Sequence, residues 1–491
     1  MDSAQAEKIY DSGKAAVISK LVELSSEIEA LKRIIMAQQH RIRQLENQLA
    51  KDSHNSSQPP SSDGYKKQKR TKSQRSKTNR KVGGQQGHQG HTLEMVDNPD
   101  HIETCPLEQE YCDCGQSLKG KTATGYERRQ VIDIPPVKLE VTEYRAEIID
   151  CDCGIRHVAS FPDGVNAPVQ YGTRLKSRII YLMNYQYLPY DRLSELVEDW
   201  YGRKISLGTV FNYNKSCYHR LAETEQKIKQ NIIQSKVAGF DESGASINGE
   251  NLWIHSSSTD DYCYYACHEK RGKQAMDAIG ILPQFTGTAV HDHWKSYFRF
   301  DCDHGLCNSH HLRELQYIGE RYDQAWSGNM KKLLLEIKAA VDTAKELNEN
   351  CLANSVLKLF EKRYQHIILA GYEANPPPKV ENENRRSAVA GRKRGRVKQS
   401  EPLNFLDRLK DYSKETLTFM YDFDVPFDNN LSERDIRMMK LRLKISGTFR
   451  SKLGADMFCR IRGFIATSKK QGINVLEAIE GIWTGNILVD V

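Results

Sequence analysis

Several absences narrow the reading of this sequence first. No apolar run among its 491 residues approaches the roughly 20 needed for a membrane helix, and no apolar leader opens the chain, so a cytosolic protein with no membrane partner is expected. Twelve cysteines are too sparse for a disulfide scaffold, and reduced thiols follow. Most of Cys217, Cys263, Cys267, Cys351 and Cys459 read as buried small hydrophobes. No H-E-x-x-H pair is present, which weighs against a zinc hydrolase even though His291, His293, His304, His310 and His311 crowd one stretch. Charge excess is also small, at +7 from 71 basic and 64 acidic residues.

What charge there is lies unevenly. Lys66 to Lys81 holds nine Lys or Arg and no acid, and a second basic block spans Arg385 to Lys398. Blocks of this kind are either solvated linkers or sites for a polyanion whose phosphates they neutralise. Near the start, Leu21, Ile28, Ile35, Ile42 and Leu49 recur at heptad position a, with Val17, Leu24, Leu31, Gln38 and Leu45 at d. Ile at a and Leu at d favour a two-stranded parallel coil, and the single polar seam residue, Gln38, can fix its register. The alternative is one amphipathic helix packed on the body. The stretch after it has little to bury and should be a flexible arm.

Two CDCG segments follow, with Cys112 and Cys114 in one and Cys151 and Cys153 in the other. Paired thiols joined by the alternating stretch VKLEVTEYRAEI suggest a zinc ribbon, in which four thiolates close a tetrahedral site. The C-x-C spacing is one residue short of the usual C-x-x-C, and Cys105 is a substitute ligand. Beyond it, LPYDRLSELVEDWYG reads as a helix ending at Gly202, and Ser206 caps a second over SLGTVFNYNKSCYHRL. That is either a helix-turn-helix, offering Thr209, Asn212, Tyr213, Asn214 and Lys215 to a DNA groove, or an ordinary helical hairpin.

The centre of the reading is a set of acids. Asp241 ends the apolar run VAGFD, Asp292 ends GTAVHD, and Glu433 lies in the helical stretch DNNLSERDIRMMKLRLK. The element order between them is β-β-β-α-β-α-β-α, as in an RNase H-like sheet, whose first and fourth strands are neighbours. Two strand-end aspartates and a helical glutamate suit two magnesium ions, which take oxygen ligands and serve phosphodiester chemistry. Asp301, Asp303, Asp428 and Asp435 are rivals that spacing does not separate. Lys440, two turns beyond Glu433 on one helix face, could meet DNA phosphate, as could Arg434, Arg437 and Arg450. His310 and Arg313, one turn apart, would orient substrate or a carboxylate.

At these residues the sequence resembles the insertion sequence 66 family of bacterial transposases, along nearly its whole length. NSSQPPSSDG at Asn55 to Gly64, the two CDCG segments, FDESG, VHDHW, CNSHHLREL and PFDNNLSERDIRMMKLRLKISGTFRS are similar to that family's motifs. The resemblance implies Asp241, Asp292 and Glu433 as the three acids of a DDE-type transposase, His310 and Arg313 beside them, and zinc on the cysteine pairs. It implies a nucleoid-associated enzyme holding two magnesium or manganese ions, with DNA ends and target DNA as partners. A homodimer or larger synaptic complex, and helper proteins from the same element, are further expected partners. A non-catalytic DNA-binding regulator and a structure-specific nuclease on the same fold are the alternatives.

The expected fold class is multidomain α+β. A coiled coil (1–50) and a flexible basic linker (51–91) lead into a zinc-ribbon-like module (92–165) and a helical helix-turn-helix region (166–234). An RNase H-like core follows in two parts (235–324 and 423–491), parted by a helical insertion (325–422) with a basic loop, after which one helix is read from Leu403 to about Tyr421.

Overall fold

A computed structural model describes residues 3–51, 93–135, 137–376 and 399–491. The expected flexible arm, both basic blocks and the NSSQPPSSDG segment lie outside the described residues. The chain mixes helix and sheet and divides into two compact units. One comprises the described parts of Met1–Lys69, Val165–Leu196 and Lys204–Val491, the other those of Arg70–Gly164 and Val197–Arg203. Among the described residues no helix is long and apolar enough to cross a membrane.

The larger unit opens with helices α1 (Ser3–Asp11) and α2 (Lys14–Leu49), the latter covering the heptad stretch. Its seam is solvent-facing, with Leu21, Ile28, Leu31, Ile35, Ile42 and Leu45 all exposed. Its C-terminal end is held, where Asn47 bonds Arg321 and Tyr322 and Lys51, just past the helix, pairs with Glu401 at 2.5 Å.

The smaller unit holds strands β1 (Ile148–Asp150) and β2 (Arg156–Val158), paired antiparallel. The strand expected from the VKLEVTEYRAEI alternation forms only at its very end, since residues 137–147 are in no strand. Alternation builds a strand by burying one face, and no residue described between 93 and 164 is buried.

Helices α3 (Thr173–Asn184), α4 (Tyr190–Tyr201), α5 (Leu207–Arg220) and α6 (Ala222–Ile233) precede the main sheet. Gly202, at φ +63°, ends α4 as expected, and the Ser206 hydroxyl caps α5 by accepting the Thr209 N–H at 3.0 Å. One expected groove residue is placed otherwise. Asn214 is buried, accepting a bond from the Asn184 amide at 3.0 Å, because it falls on the face of α5 turned to the core.

The sheet contains β3 (Val237–Ile247), β4 (Glu250–Ser258), β5 (Cys263–His268), β6 (Thr288–His291) and β7 (Asp303–Leu306), in the order β5-β4-β3-β6-β7. The first three form an antiparallel meander, and β3 pairs in parallel with β6, as β6 does with β7. The expected neighbourhood of first and fourth strands is therefore present. Helix α7 (Lys273–Ile279) makes the crossover to β6, but the helix expected between β6 and β7 is reduced to a 3₁₀ turn at Tyr297–Arg299.

Helix α8 (Asn308–Tyr322) leaves β7, and α9 (Ala325–Glu346), α10 (Asn354–Ala374), α11 (Glu401–Asp411) and α12 (Ser413–Tyr421) pack with it around Leu333, Leu334, Phe405 and Leu406. The single helix expected from Leu403 to Tyr421 is broken at Tyr412. The chain then returns to the sheet through α13 (Asn430–Ser446), α14 (Lys452–Lys470) and α15 (Val475–Thr484). Of the five cysteines expected mostly to be buried, Cys351 is exposed, in the connection between α9 and α10.

Helix α13 lies close against β3 because Gly239 has no side chain. A Cβ there would stand 2.3 Å from the Ser432 hydroxyl and 2.4 Å from the Asn429 side-chain oxygen. Asn429 is itself fixed, its amide donating to the Phe240 carbonyl at 2.8 Å. Gly239→Ala should therefore destabilise the protein by about 1–3 kcal/mol, the usual cost of overpacking. Urea unfolding measures it, and an unchanged midpoint would show that α13 can back away freely.

Candidate active site

Strand alternation decides which side chains share the site. Ala238 and Phe240 enter one core with Phe285 and Tyr297, so Gly239 and Asp241 fall on the opposite face, towards α13. The aspartate is not at a strand end. It is the fifth of eleven residues in β3, just beyond Gly239↔Val290, where the β6 pairing stops. Asp292 follows the last residue of β6, so both carboxylates lie where the two parallel strands part. Glu433 occupies the first turn of α13, beside Ser432, Ile436 and Met439, which are buried.

These acids feel one another. The Asp241 carboxyl is pushed well above the ordinary carboxylate range, first by burial and then by the charges of Glu242, Glu433 and Asp292. Asp292 is also raised by burial, against the N–H of Trp294, which donates to its Oδ1 at 2.9 Å, and against Arg271. Glu433 has one oxygen on Arg437, at 2.9 Å, and the other 3.5 Å from His310 Nε2. Among the described residues no ion pair relieves Asp241. An all-oxygen donor set with buried, mutually repelling charge fits magnesium or manganese, which would neutralise it.

Sequence reasoning missed the groups behind these acids. Glu242 alternates to the other face of β3, with its side chain 2% exposed. It accepts from Arg271 at 2.6 Å and 2.9 Å and from the Tyr297 hydroxyl. The Arg271 guanidinium lies over the Trp253 and Trp294 rings, 5.0 Å and 4.2 Å from their centroids. No spacing in FDESG distinguishes the second acid from the first except strand alternation, which turns Glu242 away. Cys307, at the start of α8, also enters the site, with Sγ 3.8 Å from Glu433 Oε1.

The remaining expected residues separate. His310 faces Glu433, and burial together with the nearby charge of Arg313 lowers its pKa to about 3. Arg434, Arg437 and Arg450 are exposed, and Lys440 is half-buried. Of the rival acids, Asp435 accepts from Ser258 and pairs with Lys470, Asp428 accepts from Ser309, Asp303 pairs with Lys414, and Asp301 is exposed. The other histidines serve packing. His291 bonds His304 at 2.9 Å and stacks on Tyr297, and His311 bonds Asn308.

In the smaller unit the two cysteine pairs adopt the same turn. Gly115 N–H donates to Cys112 O, and Gly154 N–H to Cys151 O, each at 2.7 Å, with both glycines at positive φ. Backbone N–H groups lower the pKa of Cys114 and Cys151, which suits thiolate ligands. No three of the four sulfurs lie within 4.8 Å of one another.

Because Asp241 holds its proton to higher pH when folded than when unfolded, its ionisation destabilises the metal-free protein as pH rises above about 4. Asp241→Asn should raise the melting temperature in chelator, by an increment that grows from acid to neutral pH. Magnesium should raise the melting temperature of the parent more than that of the variant. A pH-independent increment would mean that the carboxylates do not repel.

Comparison with known proteins places the chain in a family. Residues 168–457, more than half the chain, match the family described as Transposase IS66 family. Residues 109–154 match the zinc-finger binding domain of transposase IS66, a stretch that includes both cysteine pairs. Residues 14–94 match a family of unknown function. No curated protein matches the chain. With the matched region taking in Asp241, Asp292 and Glu433 together, this chain belongs to the Transposase IS66 family.

Proposed function

We propose that the protein is a DDE-type transposase in which Asp241, Asp292 and Glu433 are the catalytic acids, on an RNase H-like core. The observation that carries this reading is that the charges of Glu433, on α13, and Asp292, at the end of β6, both raise the Asp241 carboxyl on β3. The parallel pairing of first and fourth strands supports the fold assignment.

The three carboxylates would hold two magnesium or manganese ions, which polarise a phosphodiester and favour ionisation of the attacking hydroxyl when bound. The protein's own part is to fix the acids on rigid elements and to gather DNA. Arg434, Arg437, Lys440 and Arg450 offer positive charge along and beyond α13 for phosphates. Water attacks phosphorus at an element end, the P–O3′ bond breaks, and a 3′-hydroxyl is freed. That hydroxyl then attacks a target phosphodiester, forming one P–O bond as another breaks. No protein–DNA covalent bond is needed.

The cysteine turns would bind one zinc by drawing together Cys112, Cys114, Cys151 and Cys153. A module with no buried residue has little else to order it. With α5, this module would recognise element ends. The exposed seam of α2 would pair protomers in a homodimer or larger synaptic complex, and helper proteins from the same element would act with it.

In a strand-transfer assay, Asp241→Asn, Asp292→Asn and Glu433→Gln should each lower joining by at least about a hundredfold, roughly 2.7 kcal/mol of transition-state stabilisation. Undiminished joining by all three would sink the proposal. A pre-cut end that is cleaved further but never joined would mark a nuclease instead.

For the coil, Ile28→Asp with Ile35→Asp should lower the mass found by light scattering. An unchanged mass would assign α2 to a single-chain role.

A further inference from the structure

Beside the three acids, but with different chemistry, lies a mixed group of ligands. Cys307 Sγ, His310 Nε2 and a Glu433 carboxylate oxygen all lie within 4.8 Å of one another. The sulfur is 3.8 Å, and the imidazole nitrogen 3.5 Å, from Glu433 Oε1. A tetrahedral ion at ordinary Zn–S, Zn–N and Zn–O lengths sets its donors about 3.3–3.7 Å apart. The separations from Glu433 are thus already close to those of a site with three protein ligands and one open position.

The elements carrying these groups are fixed. Cys307 and His310 are one turn apart at the start of α8, joined by the His310 N–H donating to the Cys307 carbonyl at 3.1 Å. Glu433 is held in α13 by the close contact at Gly239. The backbone N–H of Asn429 donates to Cys307 Sγ at 3.2 Å, an interaction that favours thiolate over thiol. His310 is neutral at physiological pH, as a ligand must be. Burial opposes this by raising the Cys307 thiol to about 12, so an ion that binds here must displace the thiol proton.

Magnesium does not suit sulfur and nitrogen donors, whereas zinc does. We propose that Cys307, His310 and Glu433 form a zinc-class site, separate from the cysteine turns, which occupies the third acid and holds the catalytic centre inactive. The inhibitory role rests on the proposed catalytic function of Glu433; the binding does not. Zinc bound here engages Glu433 through the carboxylate that magnesium requires, so the two ions compete.

The test uses the full chain. Zinc bound per chain, measured by elemental analysis after equilibration against a weak chelator, should fall by one equivalent in Cys307→Ser and in His310→Gln. Equal zinc in the parent and both variants would overturn the site. A second measurement does not depend on substitutions in this cluster. A Cys112→Ser, Cys114→Ser, Cys151→Ser, Cys153→Ser variant should still bind one cobalt(II), with thiolate-to-cobalt absorption. Loss of that absorption in the quadruple variant would also overturn the site. For the inhibition, one added equivalent of zinc beyond that held by the cysteine turns should slow magnesium-dependent joining at least tenfold in the parent. The Cys307→Ser variant should slow far less, relative to its own zinc-free rate; equal slowing would refute the competition. Should joining be undiminished in Asp241→Asn, Asp292→Asn and Glu433→Gln alike, the catalytic reading fails while the zinc and cobalt stoichiometries still decide the site.

Discussion

The close approach of α13 to β3 at Gly239 is the contact on which the site depends. Asn429, just before the glutamate-bearing helix, lies 189 residues after the Phe240 whose carbonyl it grips. Between them the chain builds the rest of the sheet and the α9–α12 helices. Any side chain at Gly239 would push the start of α13 outward, and Glu433 with it. A hydrogen bond from Asn429 and the absence of one Cβ thus bring distant acids together.

Bringing them together is electrostatically unfavourable, and the surroundings show how the protein bears it. Glu242 is turned to the far face of β3 and satisfied there by Arg271 and Tyr297. Arg271, stacked between two tryptophans, also lowers the Asp292 pKa. Asp241 receives no such relief, so its ionisation is the costly one. Strain of this kind is what a pair of divalent ions would remove, and it gives the proposed catalytic chemistry a physical motive.

Other parts of the chain are incomplete by themselves in a different way. The smaller unit has two matching cysteine turns and a short hairpin but no buried residue. Helix α2 presents its apolar seam to solvent over most of its length and is anchored at its C-terminal end, on α8 and the start of α11. In both, the proposed partner is a further component, a metal ion in one and a second helix in the other.

Periodicity and capping determined much that is local. The helix carrying the α2 heptads, the Gly202 stop, the Ser206 cap and the succession of strands along the chain were all legible, because each depends on near neighbours in sequence. The acids Asp241, Asp292 and Glu433 were legible as candidates through their motifs. Tertiary structure decided what pattern could not. It made Asp241 a mid-strand residue, shortened a crossover helix to one turn, buried Asn214, broke the helix at Tyr412 and left VKLEVTEYRAEI largely without strand. It also added Cys307, Glu242 and Arg271 to the site and tied Asp435 and Asp428 up elsewhere. The division has a physical cause: dihedral preference and amphipathic spacing act over a few residues, whereas burial, charge coupling and close approach depend on which distant segments the fold sets side by side.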